Sequence, residues 1–321
     1  MSIAAIIIGR NEGARLVRSL ASARDDCDPV IYVDSGSTDD SLDAARAAGA
    51  EVVMLDTSQG FTAARARNAG FARLTDMACA EFIQFIDGDC ELQAGWVGAA
   101  AAHLRANPDI AAVCGRRRER FPDASAFNRL ADDEWNTPVG EATACGGDAL
   151  YRTAAFRAVG GFDPSLIAGE EPELCQRLRR AGWRIWRLDR EMTLHDAAMT
   201  RLGQFWRRAQ RGGHAAAEGA AMHGHGPDRL GVSQTRRALI WGLGLPVIAV
   251  LGALLVDGWF AALLLAYPAQ VARLALRRGG GRSAWEWAFY TTIGKFAEAQ
   301  GVLQYRWGRL THRRRGLIEY K

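Results

Sequence analysis

Four short, mainly apolar runs constrain this chain more than anything else in it. They cover residues 3–8, 30–33, 51–55 and 82–86. Apolar runs of this length read as strands buried on both faces. The stretches between them, 12–24, 38–48 and 62–78, have helical patterning, with Thr38 placed to cap one helix and Gly49 to end it. Strands alternating with helices predict an α/β fold, a mostly parallel sheet flanked by helices. Ligands of such sheets bind beyond the carboxyl ends of the strands. Polar clusters follow Ile8, Val33 and Ile86, so all three fall at that edge and predict one nucleotide site.

The next stretch is less regular. Residues 113–118 predict an outer strand, and 141–151 contain Gly146-Gly147-Asp148, a tight backbone approach or turn. A loop at 160–164, a helix over 170–181 and two strands at 183–188 and 192–195 follow. The Arg116-Arg117-Arg118 run reads as a solvated face.

After residue 200 the character changes. The chain has a net charge of +4. Residues 1–200 hold 22 Arg against 30 Asp and Glu, a balance of −8; the rest hold 18 Arg and Lys against 6, a balance of +12. Residues 201–212 predict a basic amphipathic helix, and 214–229, with His214, His223 and His225, a linker. Residues 238–256 are a 19-residue run without a charge, about the length that crosses a bilayer core. Residues 259–272 form a second, shorter apolar run. Arg236 and Arg237 precede the pair and Arg273, Arg277 and Arg278 follow it, which suits a hairpin with both ends on the cytoplasmic side. A re-entrant or interfacial hairpin is the other reading, and 284–307 predict a helix lying in the interface. Basic residues beside apolar runs point to anionic lipid rather than nucleic acid. The six cysteines are scattered without a C-x-x-C pair, the usage of a reducing compartment, and no secretory signal is evident. Three regions are expected: 1–200, a ligand-binding α/β domain; 201–230, an interfacial helix and linker; 231–321, a membrane-associated helical hairpin and a final interfacial helix.

The most pointed motif is Asp87-Gly88-Asp89 at the end of the fourth run. Two carboxylates on a tight turn suit a hard divalent ion, Mg²⁺ or Mn²⁺, which needs only one or two carboxylates when phosphates complete its shell. Asp34, directly after a strand, is placed to accept from a ribose hydroxyl or a base N–H. Glu170, Glu171 and Glu173 open a helix, where carboxylates complement the macrodipole.

Residues 6–12 (IIIGRNE), 33–39 (VDSGSTD), 66–70 (ARNAG), 85–89 (FIDGD) and 169–178 (GEEPELCQRL) resemble, in order and spacing, the motifs of the family-two glycosyltransferases. The resemblance covers roughly residues 1–200. It implies the nucleotide-diphospho-sugar transferase (GT-A-like) fold and an inverting enzyme. Carried over, it places Gly9, Arg10, Glu12, Asp34 and Asp39 around the nucleoside and Arg67 by the diphosphate. Asp87 falls near the ribose or donor sugar, Asp89 on the metal, and His195 on the metal or diphosphate. It makes Glu171 the catalytic base, with Glu170 as the alternative. Gly147 and Asp148 are placed at the acceptor. Gln204 and Arg207 join them, since processive members carry a Q-x-x-R-W sequence there, with Arg208 standing where Trp is expected. Two departures stand out: Glu171 replaces the usual Asp, and Ser35 replaces a second Asp.

The resulting expectation is a metal-dependent hexosyltransferase at the cytoplasmic face of a bacterial inner membrane. Its donor is a nucleotide sugar, with a UDP-sugar preferred, and its acceptor a polyprenyl-linked glycan in surface polysaccharide assembly. Two alternatives remain: a sugar nucleotidyltransferase, for which the Gly-rich, Lys-bearing phosphate loop is missing, and an inactive membrane-bound scaffold that binds the nucleotide sugar.

Overall fold

A computed structural model of the chain describes residues 2–77, 80–226 and 228–312. Residue 78 of the expected third helix, Cys79 and residues 313–321 lie outside them. In chain order the elements are β1 (Ile3–Gly9), α1 (Ala14–Arg24), β2 (Val30–Asp34), α2 (Ser41–Ala47), β3 (Glu51–Met54), α3 (Ala63–Met77), β4 (Phe82–Asp87), β5 (Cys90–Leu92), α4 (Trp96–Ala106), β6 (Ile110–Glu119), α5 (Ala126–Glu134), β7 (Gly140–Ala142), β8 (Ala149–Arg152), α6 (Thr153–Ala158), α7 (Glu170–Arg180) and β9 (Arg184–His195). Then come α8 (Leu202–His223), α9 (Val232–Leu239), α10 (Leu245–Leu255), α11 (Ala266–Arg277) and α12 (Arg282–Leu310). They divide into two compact units. One runs through Pro122 and resumes over Ala131–Ala198; the other takes Asp123–Leu130 and the described residues from Met199 onward.

The first unit is built on a nine-stranded sheet in the order β3-β2-β1-β4-β8-β6-β9-β5, with β7 also paired to β9. The expected parallel portion is β3-β2-β1-β4. The whole sheet is mixed, because β8 runs antiparallel between β4 and β6, and β5 and β7 run antiparallel to β9. Residues 113–118 are not an outer strand. They belong to β6, which lies between β8 and β9, and the two strands expected at 183–188 and 192–195 are one continuous β9.

Burial explains the apolar runs. Ala4, Ala5, Ile6 and Ile7 of β1 are fully buried, since β1 has neighbours on both sides and helices above and below. α3 comes close to this strand through Gly70, where a Cβ would lie 2.5 Å from Ile6 Cγ2. Phe85, Tyr151, Phe156 and Phe162 pack edge-on or tilted at centroid distances of 5.2–6.4 Å behind the strand ends. Burying each such ring is worth roughly 1.5–3 kcal/mol.

In the second unit, α8 continues to His223, so most of the expected linker is helix. Its glycines are contact points, not breakers. A Cβ on Gly213 would lie 2.0 Å from the Glu298 carbonyl oxygen, and one on Gly301 would lie 2.0 Å from that of Gln210, so α8 and α12 touch backbone to backbone. Phe127, Phe205 and Tyr290 pack together, and Arg129 grips both carboxylate oxygens of Glu286. Two helical stretches, Val232–Leu255 and Gly258–Arg277, are long and apolar enough to cross a membrane by length and composition. Leu254, Leu255, Val256 and Trp259 are 75–83% exposed, so this apolar surface is left uncovered by the described residues.

Candidate active site

The parallel register sets the site. Gly9 of β1 pairs with Asp34 of β2, and Ile8 pairs with Asp87 of β4, so the three strands stop side by side. Beyond them two loops interlock. Asn11 N–H donates to Ser37 Oγ (2.9 Å), and Thr38 N–H donates to Asn11 Oδ1 (2.7 Å). Asp34 is buried and accepts from the N–H groups of Gly36 and Ser37 and from the Tyr32 hydroxyl. This binding of its own turn fixes the carboxylate at the sheet edge. Burial, with Asp34 next to it, keeps the Tyr32 phenol protonated. Asp39 is exposed and accepts from Ser41 N–H, whose side chain and backbone hold its carboxyl below the usual range. Glu12 pairs with Arg15 at 2.8 Å, and the exposed Arg10 lies over the Phe61 ring at 4.5 Å.

A charged cluster occupies the next position along the edge. Arg67 of α3 is 2% exposed and donates to Asp87 Oδ1 (2.7 Å) and Glu170 Oε1 (2.8 Å). Burial opposes its charge, but the Asp87 and Glu170 carboxylates outweigh that and hold the guanidinium above its ordinary value. So Arg67 positions two carboxylates, Asp87 and Glu170. Asp148 is wholly buried. It accepts from Asp87 N–H (3.0 Å) and Thr193 Oγ1–H (2.9 Å) and pairs with Arg117 (2.7 Å). Asp148 thus holds the Asp87 backbone at the end of β4. Gly147 lies against the same cluster: a Cβ there would meet Arg67 Nη2 at 2.8 Å and Asp87 Oδ2 at 3.2 Å.

Asp89 and His195 come together across the β5–β9 pairing. Asp89 Oδ2 and His195 Nε2 are 3.1 Å apart, and both residues are buried. Burial, then the nearby Arg117 charge, pushes the imidazole pKa down to about 4, so His195 is a neutral ligand-type base at neutral pH. Its Nδ1 is buried with no hydrogen-bond partner among the described residues. One carboxylate plus one neutral imidazole fits a divalent ion such as Mn²⁺ whose other positions go to phosphate and water. Cys90 is beside Asp89, and burial raises its thiol well above its ordinary value; its soft sulfur suits a hard ion such as Mn²⁺ or Mg²⁺ less well than the carboxylate does. Trp135 packs edge-to-face on His195 at 4.7 Å and carries Arg117 over its ring.

Of the two α7 carboxylates expected as candidate bases, Glu170 faces Arg67. Glu171 Oε1 accepts from Cys145 N–H and from the Cys175 thiol, in the strand-edge loop that leads to Gly147. Gln204 and Arg207 belong to the second unit. There Gln204 Oε1 accepts from Thr200 and Arg201 N–H and caps α8, while Arg207 is exposed. Sequence reasoning missed Arg117 and its neighbour Arg116, read as a solvated face. Arg116 pairs with Asp132 at 2.7 Å and Arg117 with Asp148, both largely buried. Their place in a run that starts as an apolar strand was the available signal.

Residues 4–159 match the model of glycosyl transferase family 2, so this part of the chain is similar to the domain of that family. Among similar curated proteins, the pre-mycofactocin glycosyltransferase of Mycobacterium tuberculosis is 30% identical over 218 residues, 63% of this chain and 43% of that protein. The succinoglycan biosynthesis protein ExoA of Rhizobium meliloti is 28% identical over 189 residues, covering 55% of this chain and 56% of the relative. The chain thus spans about half the length of the curated relatives it matches. Among solved structures, a mannosyltransferase from Pyrobaculum calidifontis, in complex with GDP-Man and Mn²⁺, is similar in fold. Its TM-score is 0.61 at 20% identity, over 91% of this chain and 86% of that one.

Proposed function

We propose that the chain is an inverting, metal-dependent glycosyltransferase that moves a sugar from a nucleotide-sugar donor, with a UDP-sugar preferred, to a lipid-linked glycan acceptor. The observation that carries this reading is the buried Asp89–His195 pair, with its imidazole held neutral, beside the Arg67–Asp87–Glu170 cluster at one sheet edge. Gly9, Arg10, Glu12, Asp34 and Asp39 surround the nucleoside. Asp87, fixed by Arg67 and Asp148, meets the ribose or the donor sugar. Asp89 and His195 would hold Mn²⁺ or Mg²⁺, which supplies charge neutralisation for the leaving diphosphate. Glu171 takes the proton from the acceptor hydroxyl as its oxygen attacks the anomeric carbon; Glu170 is the alternative base. Displacement from the opposite face inverts the anomeric centre.

The relatives' names support glycan assembly as the setting. The apolar, exposed second unit supports attachment to the cytoplasmic face of a bacterial inner membrane, and so a polyprenyl-linked acceptor. The test is a panel of nucleotide sugars incubated with the full chain and Mn²⁺ or Mg²⁺, reading nucleoside diphosphate release and product anomer. Chelator-sensitive release from one donor, with inverted product, is expected. Release from none would favour a scaffold; a retained anomer would contradict the mechanism.

A further inference from the structure

A second cluster of ligand-type side chains lies apart from Asp89 and His195. Glu171 and Cys175 are four residues apart on α7 and so share one face of the helix. Cys145, next to Gly146 with its left-handed φ of 82°, comes in from the loop before β8. Cys145 Sγ and Cys175 Sγ are 3.5 Å apart, and Cys175 Sγ is 3.1 Å from Glu171 Oε1. One ligand atom from each of the three residues lies within 4.8 Å of the others, all three residues are buried, and the Tyr151 hydroxyl is 3.0 Å from Cys145 Sγ.

We infer that Cys145, Glu171 and Cys175 form a binding site for a thiophilic divalent ion of the Zn²⁺ class. A tetrahedral zinc with Zn–S of about 2.3 Å and Zn–O of about 2.0 Å sets its ligand atoms roughly 3.5–3.8 Å apart. The sulfur pair at 3.5 Å and the Cys175–Glu171 pair at 3.1 Å each need to open by only a few tenths of an ångström. On binding, two S–H bonds break, two Zn–S bonds form, and two protons leave to solvent. The donor chemistry separates this site from the first: two sulfurs and an oxygen select Zn²⁺, whereas a carboxylate and an imidazole suit Mn²⁺. An ion here would also occupy the Glu171 oxygen. Resting on the reading of Glu171 as base, the site is therefore inhibitory.

Co²⁺ is the probe, added to the full chain carrying Asp89→Ala so that the first site is removed. A thiolate-to-cobalt charge-transfer band saturating at one ion per chain, and displaced by Zn²⁺, is expected. It should vanish in Cys145→Ser and in Cys175→Ser, and Glu171→Gln should weaken binding by at least roughly 10-fold. In the wild-type chain, which avoids any folding defect, Zn²⁺ should protect Cys145 and Cys175 from alkylation, read by peptide mass. No thiolate band together with unprotected thiols overturns the inference, as does a band that survives both cysteine substitutions in folded protein. Wild-type turnover that persists while Zn²⁺ protects both thiols would leave the metal site standing and remove Glu171 as base.

Discussion

Asp148→Asn tests whether the site is held in place from behind. The substitution keeps the shape of a wholly buried side chain and removes its charge. An amide oxygen can still accept from Asp87 N–H, but its NH₂ group then faces Arg117 Nη2, 2.7 Å from the present carboxylate. Removing one partner of a buried ion pair costs about 3–5 kcal/mol. Arg117 is 14% exposed and also 3.9 Å from Asp87 Oδ2, which softens the loss. The lower end, about 3 kcal/mol, is the expected cost. At a urea dependence of roughly 1–3 kcal/mol/M, that moves the unfolding midpoint down by roughly 1–3 M. Tryptophan fluorescence follows the transition, since Trp135 packs on Arg117. Donor turnover should fall as well, because Arg117, 3.9 Å from Asp87 Oδ2, loses the carboxylate that holds it in place. A change below about 0.5 kcal/mol, the scale of an unremarkable surface substitution, would refute this reasoning.

Glu171→Gln should bind donor and lose transfer by roughly 10²–10⁴-fold, measured by single-turnover transfer; full activity would shift the base to Glu170. Gly147→Ala should crowd Arg67 and Asp87 and lower turnover while leaving metal binding intact, as read by Mn²⁺ titration. His195 is neutral down to about pH 4 when folded but titrates near 6.5 when unfolded. The unfolded state therefore binds the extra proton, and stability should decline as pH falls from about 6.5 to about 4; denaturation midpoints that fail to flatten over this window in His195→Asn would contradict it. Removal of residues 230–321 should release the protein from lipid vesicles in a flotation assay.

Much of this was legible in the sequence, for physical reasons. β1, β2 and β4 are buried on both faces, so their composition is nearly pure apolar and their polar ends stand out. The Asp89–His195 meeting was legible only through the family resemblance, because β5 brings together residues far apart in sequence. β6 was misplaced because its arginines look solvent-facing; Arg118 is exposed, but Arg116 and Arg117 find carboxylates, Asp132 and the buried Asp148, that no local pattern reveals. The linker reading of 214–229 failed because glycine weakens an isolated helix but permits close helix contact, as Gly213 shows against Glu298. The Cys145–Cys175 pair joins a loop to a helix and has no signature in spacing.

The central claim is that Asp89 and His195 hold the divalent ion on which donor binding depends. Electron paramagnetic resonance of Mn²⁺ titrated into the full chain with a nucleoside diphosphate tests it most directly. One bound ion per chain, lost in Asp89→Ala and weakened in His195→Ala, is the expected result. Unchanged Mn²⁺ binding in both variants, or nucleotide binding that is equally tight in chelator, would contradict it.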